Sequence, residues 1–74
     1  MGARLSDIRR AARSYQITIE EPSSGSHWKA RREGTGGCYP IPANNGDKTE
    51  ISNVYIKGFC RFFDLDFEKF WAQL

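Results

Sequence analysis

Between Gln16 and Ile41 the chain changes character every few residues, in the pattern of a meander of short strands. Gln16-Ile17-Thr18-Ile19-Glu20 alternates apolar and polar residues and is rich in β-branched side chains, which predicts a half-buried strand with Ile17 and Ile19 inward. Glu21-Pro22-Ser23-Ser24-Gly25-Ser26 is turn chemistry. His27 to Arg32 predicts a second strand, with Trp28 and Ala30 on one face and His27, Lys29 and Arg31 on the other. Glu33 to Gly37 holds three glycines and reads as a hairpin connection. Cys38 to Ile41 is the third strand, and Pro40, having no N–H to donate, implies that it lies at an edge or that the ladder stops there.

Helical periodicity flanks this meander. Leu5, Ile8, Ala12 and Tyr15 recur at spacings of three and four, so residues 5–15 predict an amphipathic helix capped by Ser6 or Asp7, with Arg9, Arg10 and Arg13 off the apolar stripe. After a loop at 43–46, Asp47 followed by Glu50 resembles a capping box, predicting a helix over 47–62 with Ile51, Val54, Tyr55, Phe59 and Phe62 on one side. Gly58 inside it suggests close approach of another backbone. Asp64 or Asp66 can cap a last short helix whose Phe67, Phe70, Trp71 and Leu74 share a face. The expected fold is α+β, in the order α-β-β-β-α with a short extra C-terminal helix. Its three-stranded antiparallel sheet, with helices on one face, is like a double-stranded-RNA-binding domain in topology. If Trp28 packs under the helices, His27, Lys29 and Arg31 face outward.

The 74 residues make one domain, 1–74, burying only about 60% of its extended surface. A chain this small cannot excavate a deep pocket, so chemistry belongs on an open surface or shallow groove, suited to a polymer substrate. Charge is uneven. Up to Arg32 there are seven basic residues against three acidic, and from Glu33 onward four basic against six acidic. That asymmetry fits contact with a polyanion on one side, and equally an ordinary mixed surface. No 18-residue apolar run exists, and the N-terminal residues form no signal-peptide core, so no membrane partner and a cytoplasmic location are expected. One histidine and the distant Cys38 and Cys60 make a poor metal set, and no cofactor is expected.

Gly25-Ser26-His27, followed by Trp28-Lys29-Ala30, resembles the signature of the HicA-type toxins, small mRNA interferases of bacterial toxin–antitoxin pairs. The order of parts around it is similar too: helix, short strand, G-S-H opening the second strand, Gly-rich hairpin, Tyr39-Pro40-Ile41-Pro42, then a helix. The likeness spans nearly the whole length. It implies a ribonuclease acting on mRNA, with His27 catalytic and a small antitoxin covering it. Many such toxins carry a second histidine after the proline of the third strand; here that region reads Ala43-Asn44-Asn45.

The chemistry suits the residues. An imidazole exchanges protons at neutral pH, and RNA supplies its own nucleophile in the 2′-hydroxyl. His27 can act as base on that hydroxyl or as acid on the leaving 5′-oxygen, but not as both at once. Tyr39, Lys29 or solvent are candidates for the second transfer. Lys29, Arg31 and Arg32 are expected to meet phosphate, Arg32 only if the strand twists or ends there. Gly25 and Ser26 offer close backbone approach and a hydroxyl, and Arg9, Arg10 and Arg13 could extend the footprint. Plainer readings stand beside these: Trp28 as core, Tyr39 as packing, the helix-one arginines as a solvated face, and the late aromatics as core with part left for a partner. The alternative functions are a non-catalytic RNA-binding module and a protein–protein adaptor of a mobile element.

Overall fold

The computed structural model describes every residue except Met1, Ser26 and Thr35. In chain order the elements are β1 (Gly2–Arg4), α1 (Leu5–Arg13), β2 (Ile17–Glu20), β3 (His27–Arg32), β4 (Tyr39–Pro42), a 3-10 turn (Gly46–Lys48), β5 (Glu50–Ser52), α2 (Asn53–Phe62) and α3 (Phe67–Trp71). β2, β3 and β4 form the expected antiparallel sheet in that order, with Ile19 opposite Ala30 and Trp28 opposite Ile41. Pro40 and Pro42 lie in the edge strand β4, where a missing ladder donor is tolerated.

Side-chain alternation divides the sheet cleanly. Ile17, Ile19, Trp28, Ala30 and Ile41 are buried against Leu5, Ile8, Ala11 and Ala12 of α1 and Ile56, Phe59 and Cys60 of α2, with Phe63 and Phe70 closing the core. On the other face Thr18, Glu20, His27, Lys29, Arg31, Pro40 and Pro42 are all exposed. The molecule is a slab of 30 × 30 × 18 Å, about the thickness of one sheet and one helix layer. None of its described helices is long and apolar enough to cross a membrane.

Four local expectations are corrected. Ser6 and Asp7 lie inside α1. Its first residue sits at the end of β1, and the Leu5 N–H donates to the Thr49 carbonyl at 2.9 Å, so backbone does the work of a side-chain cap. The helix over 47–62 begins only at Asn53. Residues 50–52 pair instead with 2–4 as a two-stranded ribbon, and the Ser52 hydroxyl caps α2 by accepting from the Tyr55 N–H at 3.3 Å. The two strands of the ribbon approach so closely that a side chain on Gly2 would run into the Ile51 carbonyl. With the start moved, the buried stripe becomes Ile56, Phe59 and Cys60, while Val54 is 74% exposed and Phe62 43%. At Gly58 the close neighbour is a side chain rather than a backbone: a Cβ there would stand 2.6 Å from the Tyr39 hydroxyl.

The two aspartates after α2 have separate tasks. Asp64 adopts φ 58°, and the bonds Asp64 N–H to Arg61 carbonyl (3.3 Å) and Leu65 N–H to Cys60 carbonyl (2.7 Å) form a Schellman ending. Asp66 caps α3, accepting from the Lys69 N–H at 3.2 Å. α3 docks through Phe70, whose ring lies 5.9 Å from Tyr15 and 5.3 Å from Phe59, and through Gln73, which donates to the Tyr15 hydroxyl at 2.7 Å.

Candidate nucleic-acid interface

The outward face of β2 and β3 carries the histidine. Because Trp28 and Ala30 are drawn into the core, period-two geometry turns His27, Lys29 and Arg31 to solvent together. With Glu20, Glu21, Pro22, Ser23 and Ser24 they line one open groove of about 460 Å³. His27 lines it as the first residue of β3, reached through Gly25 at φ 84°, a left-handed conformation that a glycine accepts without steric cost. Gly25 is exposed, with open space where a side chain would be. The expectation for Ser26 lies outside the described residues.

Charge in the groove is mixed. Lys29 forms no ion pair among the described residues, and it lies directly across the ladder from Glu20. Arg31 Nε is 3.3 Å from Glu20 Oε1, with both side chains more than half exposed. An exposed pair of this kind is worth well under 1 kcal/mol or so, and a phosphate can compete for the guanidinium. His27, Lys29 and Arg31 are thus brought together as the alternation implied. Glu20 and Glu21 are the residues that sequence reasoning passed over. The signal was present in Ile17-Thr18-Ile19-Glu20, whose parity puts Glu20 on the same outward face.

The remaining candidates lie elsewhere. Arg32 has the opposite parity and turns away, donating from Nη1 to the Phe63 carbonyl at 3.1 Å; it ties the end of β3 to the C-terminal end of α2, where a cation is favoured. Tyr39 sits opposite Ala30 on the helix side of the sheet, among the rings of Tyr55, Phe59 and Phe62 at 5.4–6.0 Å. Burial raises its phenol above the usual value, against a smaller lowering by Arg61. It is packing, removed from the His27 groove by the thickness of the sheet. Tyr55, raised by burial and then by Tyr39, donates to the Pro40 carbonyl.

The helix-one arginines also sit on the helix side. Arg9 stacks 5.0 Å over the ring of the buried Trp28 and makes a two-pronged contact with Asp47 at 2.9 and 3.1 Å, so Trp28 is core and Arg9 its cover. Arg10 pairs with Asp7 at 2.9 Å. Arg9, Arg10 and Arg13 line a separate depression of about 210 Å³ with Ser6 and Asp47. Asp47, expected to cap a helix, is thereby used as the partner of Arg9.

Both cysteines are free, Cys60 buried and Cys38 partly so. Among the described residues no group of three His, Cys, Asp or Glu side chains is placed to hold a metal ion. Comparison of the chain with models of known protein families, with curated proteins and with solved structures finds no match.

Proposed function

We propose that this protein is an endoribonuclease that cuts mRNA by transesterification through His27, acting in the cytoplasm as the toxin of a toxin–antitoxin pair. One observation carries the reading: the chain's single imidazole is exposed in an open groove beside Lys29 and Arg31, on a sheet face that no described helix covers. A shallow groove fits an extended polymer and would leave a small metabolite mostly in water. The two cations meet phosphate and offset the charge that grows on it in the transition state. The 2′-hydroxyl attacks its own phosphorus and the 5′-oxygen leaves, giving a 2′,3′-cyclic phosphate and a 5′-hydroxyl. The Gly25-Ser26-His27 signature and the order of elements around it support the toxin assignment. A groove this open also suits an antitoxin protein that inhibits by covering His27.

The test is cleavage of mixed RNA in the presence of chelator by wild type and by His27→Ala. Wild-type cleavage leaving 2′,3′-cyclic ends, lost by at least 10²-fold in the variant, is the expected result. Growth arrest on expression should disappear with the same substitution. RNA binding by both proteins with cleavage by neither would leave a non-catalytic RNA-binding module, and no RNA affinity even at low salt would leave a protein–protein adaptor.

A further inference from the structure

Transesterification needs two proton transfers, and a single imidazole supplies one of them at a time. Tyr39 is excluded as the other by its place on the helix side of the sheet. Lys29 and Arg31, as cations, hold no lone pair with which to take a proton. We infer that the Glu20 carboxylate is the general base of this site and His27 its general acid, an assignment that rests on the ribonuclease reading above.

The register carries the argument. Glu20 is directly opposite Lys29 in the β2–β3 ladder, and His27 is two residues from Lys29 on the same face. Glu20 and His27 are therefore diagonal neighbours across one sheet surface, with Cβ atoms about 7 Å apart. That spacing leaves room for a phosphodiester between the two side chains, with the Lys29 ammonium beside both. Arg31, 3.3 Å from Oε1, lies on the other side of Lys29 from His27 and holds the carboxylate there in an exposed pair, which a phosphate can open by competing for the guanidinium, freeing Glu20 to turn towards His27. Glu21 lines the same groove but follows the end of β2, without a ladder partner to orient it.

The roles follow from protonation. A carboxylate carries only acceptor oxygens, so the base role is the one open to it, whereas a protonated imidazole has an N–H to give. Glu20 takes the 2′-hydroxyl proton as the 2′-oxygen bonds to phosphorus. The P–O5′ bond breaks, and its electron pair takes the proton from His27. The products are the 2′,3′-cyclic phosphate and a 5′-hydroxyl; exchange with water then returns Glu20 to carboxylate and His27 to imidazolium.

The experiment measures kcat/KM from about pH 3.5 to 9, a window that spans the ordinary carboxylate range, on an oligoribonucleotide of mixed sequence, and on the same strand carrying a 5′-sulfur at the cut linkage, for wild type, E20Q, E20D, E21Q and H27A. Far-UV circular dichroism checks that the exposed-site variants keep the fold. A thiolate leaves without a proton, so sulfur should restore H27A towards wild type and leave E20Q impaired. On the natural linkage E20Q should fall by about 10²–10³-fold, lose the acidic limb of the pH profile, and be partly recovered in E20D. An E20Q enzyme with wild-type rate and pH profile overturns the assignment, as does loss of the acidic limb in E21Q instead, or rescue of E20Q by sulfur. In each of those cases a cleaving wild type leaves the ribonuclease reading standing. A wild type that cuts no RNA removes both.

Discussion

Single residues in this protein owe their roles to strand parity and to what lies across the sheet. His27 and Trp28 are neighbours in sequence, yet one faces water and the other is 5% exposed beneath the Arg9 guanidinium. Cys60 shows the same dependence on surroundings. Set among core side chains, its thiol is pushed up from 9.0 to about 11, first by burial and then by Asp66. The unfolded chain releases that proton first. The stability this group contributes is therefore full below about pH 9 and is lost as pH rises towards 11, a change on the order of 2 kcal/mol. Thermal melts from pH 8 to 11 should show it: Cys60→Ala, less stable at pH 8 through its lost packing, should lose less on the way to pH 11 than wild type. Tyr39 and Tyr55, raised in the same direction, steepen both curves equally.

At the level of elements, boundaries are set by backbone partners as much as by side-chain pattern. α1 starts where β1 ends, and α2 starts where β5 ends, because the β1–β5 ribbon holds the two helix entries together. α2 stops at a Schellman turn in which Asp64 occupies the left-handed position usually given to glycine. An aspartate there carries a steric cost that glycine does not. Asp64→Gly should therefore stabilise the fold by about 0.5–1 kcal/mol, raising Tm by a few degrees in calorimetry or a fluorescence melt. An unchanged or lower Tm would mean that the aspartate side chain compensates for its backbone.

For the molecule as a whole, a slab 18 Å thick has two broad faces with different duties. Arg9, Arg10 and Arg13 belong to the helix side, where two of them are paired with Asp47 and Asp7, whereas Lys29 and Arg31 belong to the open sheet. RNA seated over His27 should then register Lys29 and not Arg9. In a His27→Ala background that cannot cut, Lys29→Ala should reduce the slope of log affinity against log salt by about 0.7, the contribution of one single-stranded phosphate contact. Arg9→Ala should leave that slope alone and lower stability by about 1 kcal/mol, through loss of its cover over Trp28. Equal slopes for Lys29→Ala and its parent would place the RNA elsewhere.

The amino-acid sequence alone determined the meander, the inward and outward sets of β2 and β3, and hence the grouping of His27 with Lys29 and Arg31. Period-two alternation is a local property, readable without knowing what the strand packs on. The tertiary structure alone decided the β1–β5 ribbon, because three-residue strands carry no periodicity of their own and exist through each other. It also decided the partners of the charges: Asp47 went to Arg9 across 38 positions, Arg32 to the Phe63 carbonyl, and Glu20 to the side of Arg31. Such pairings depend on register and on which face a helix turns inward, and both are settled only when the core closes.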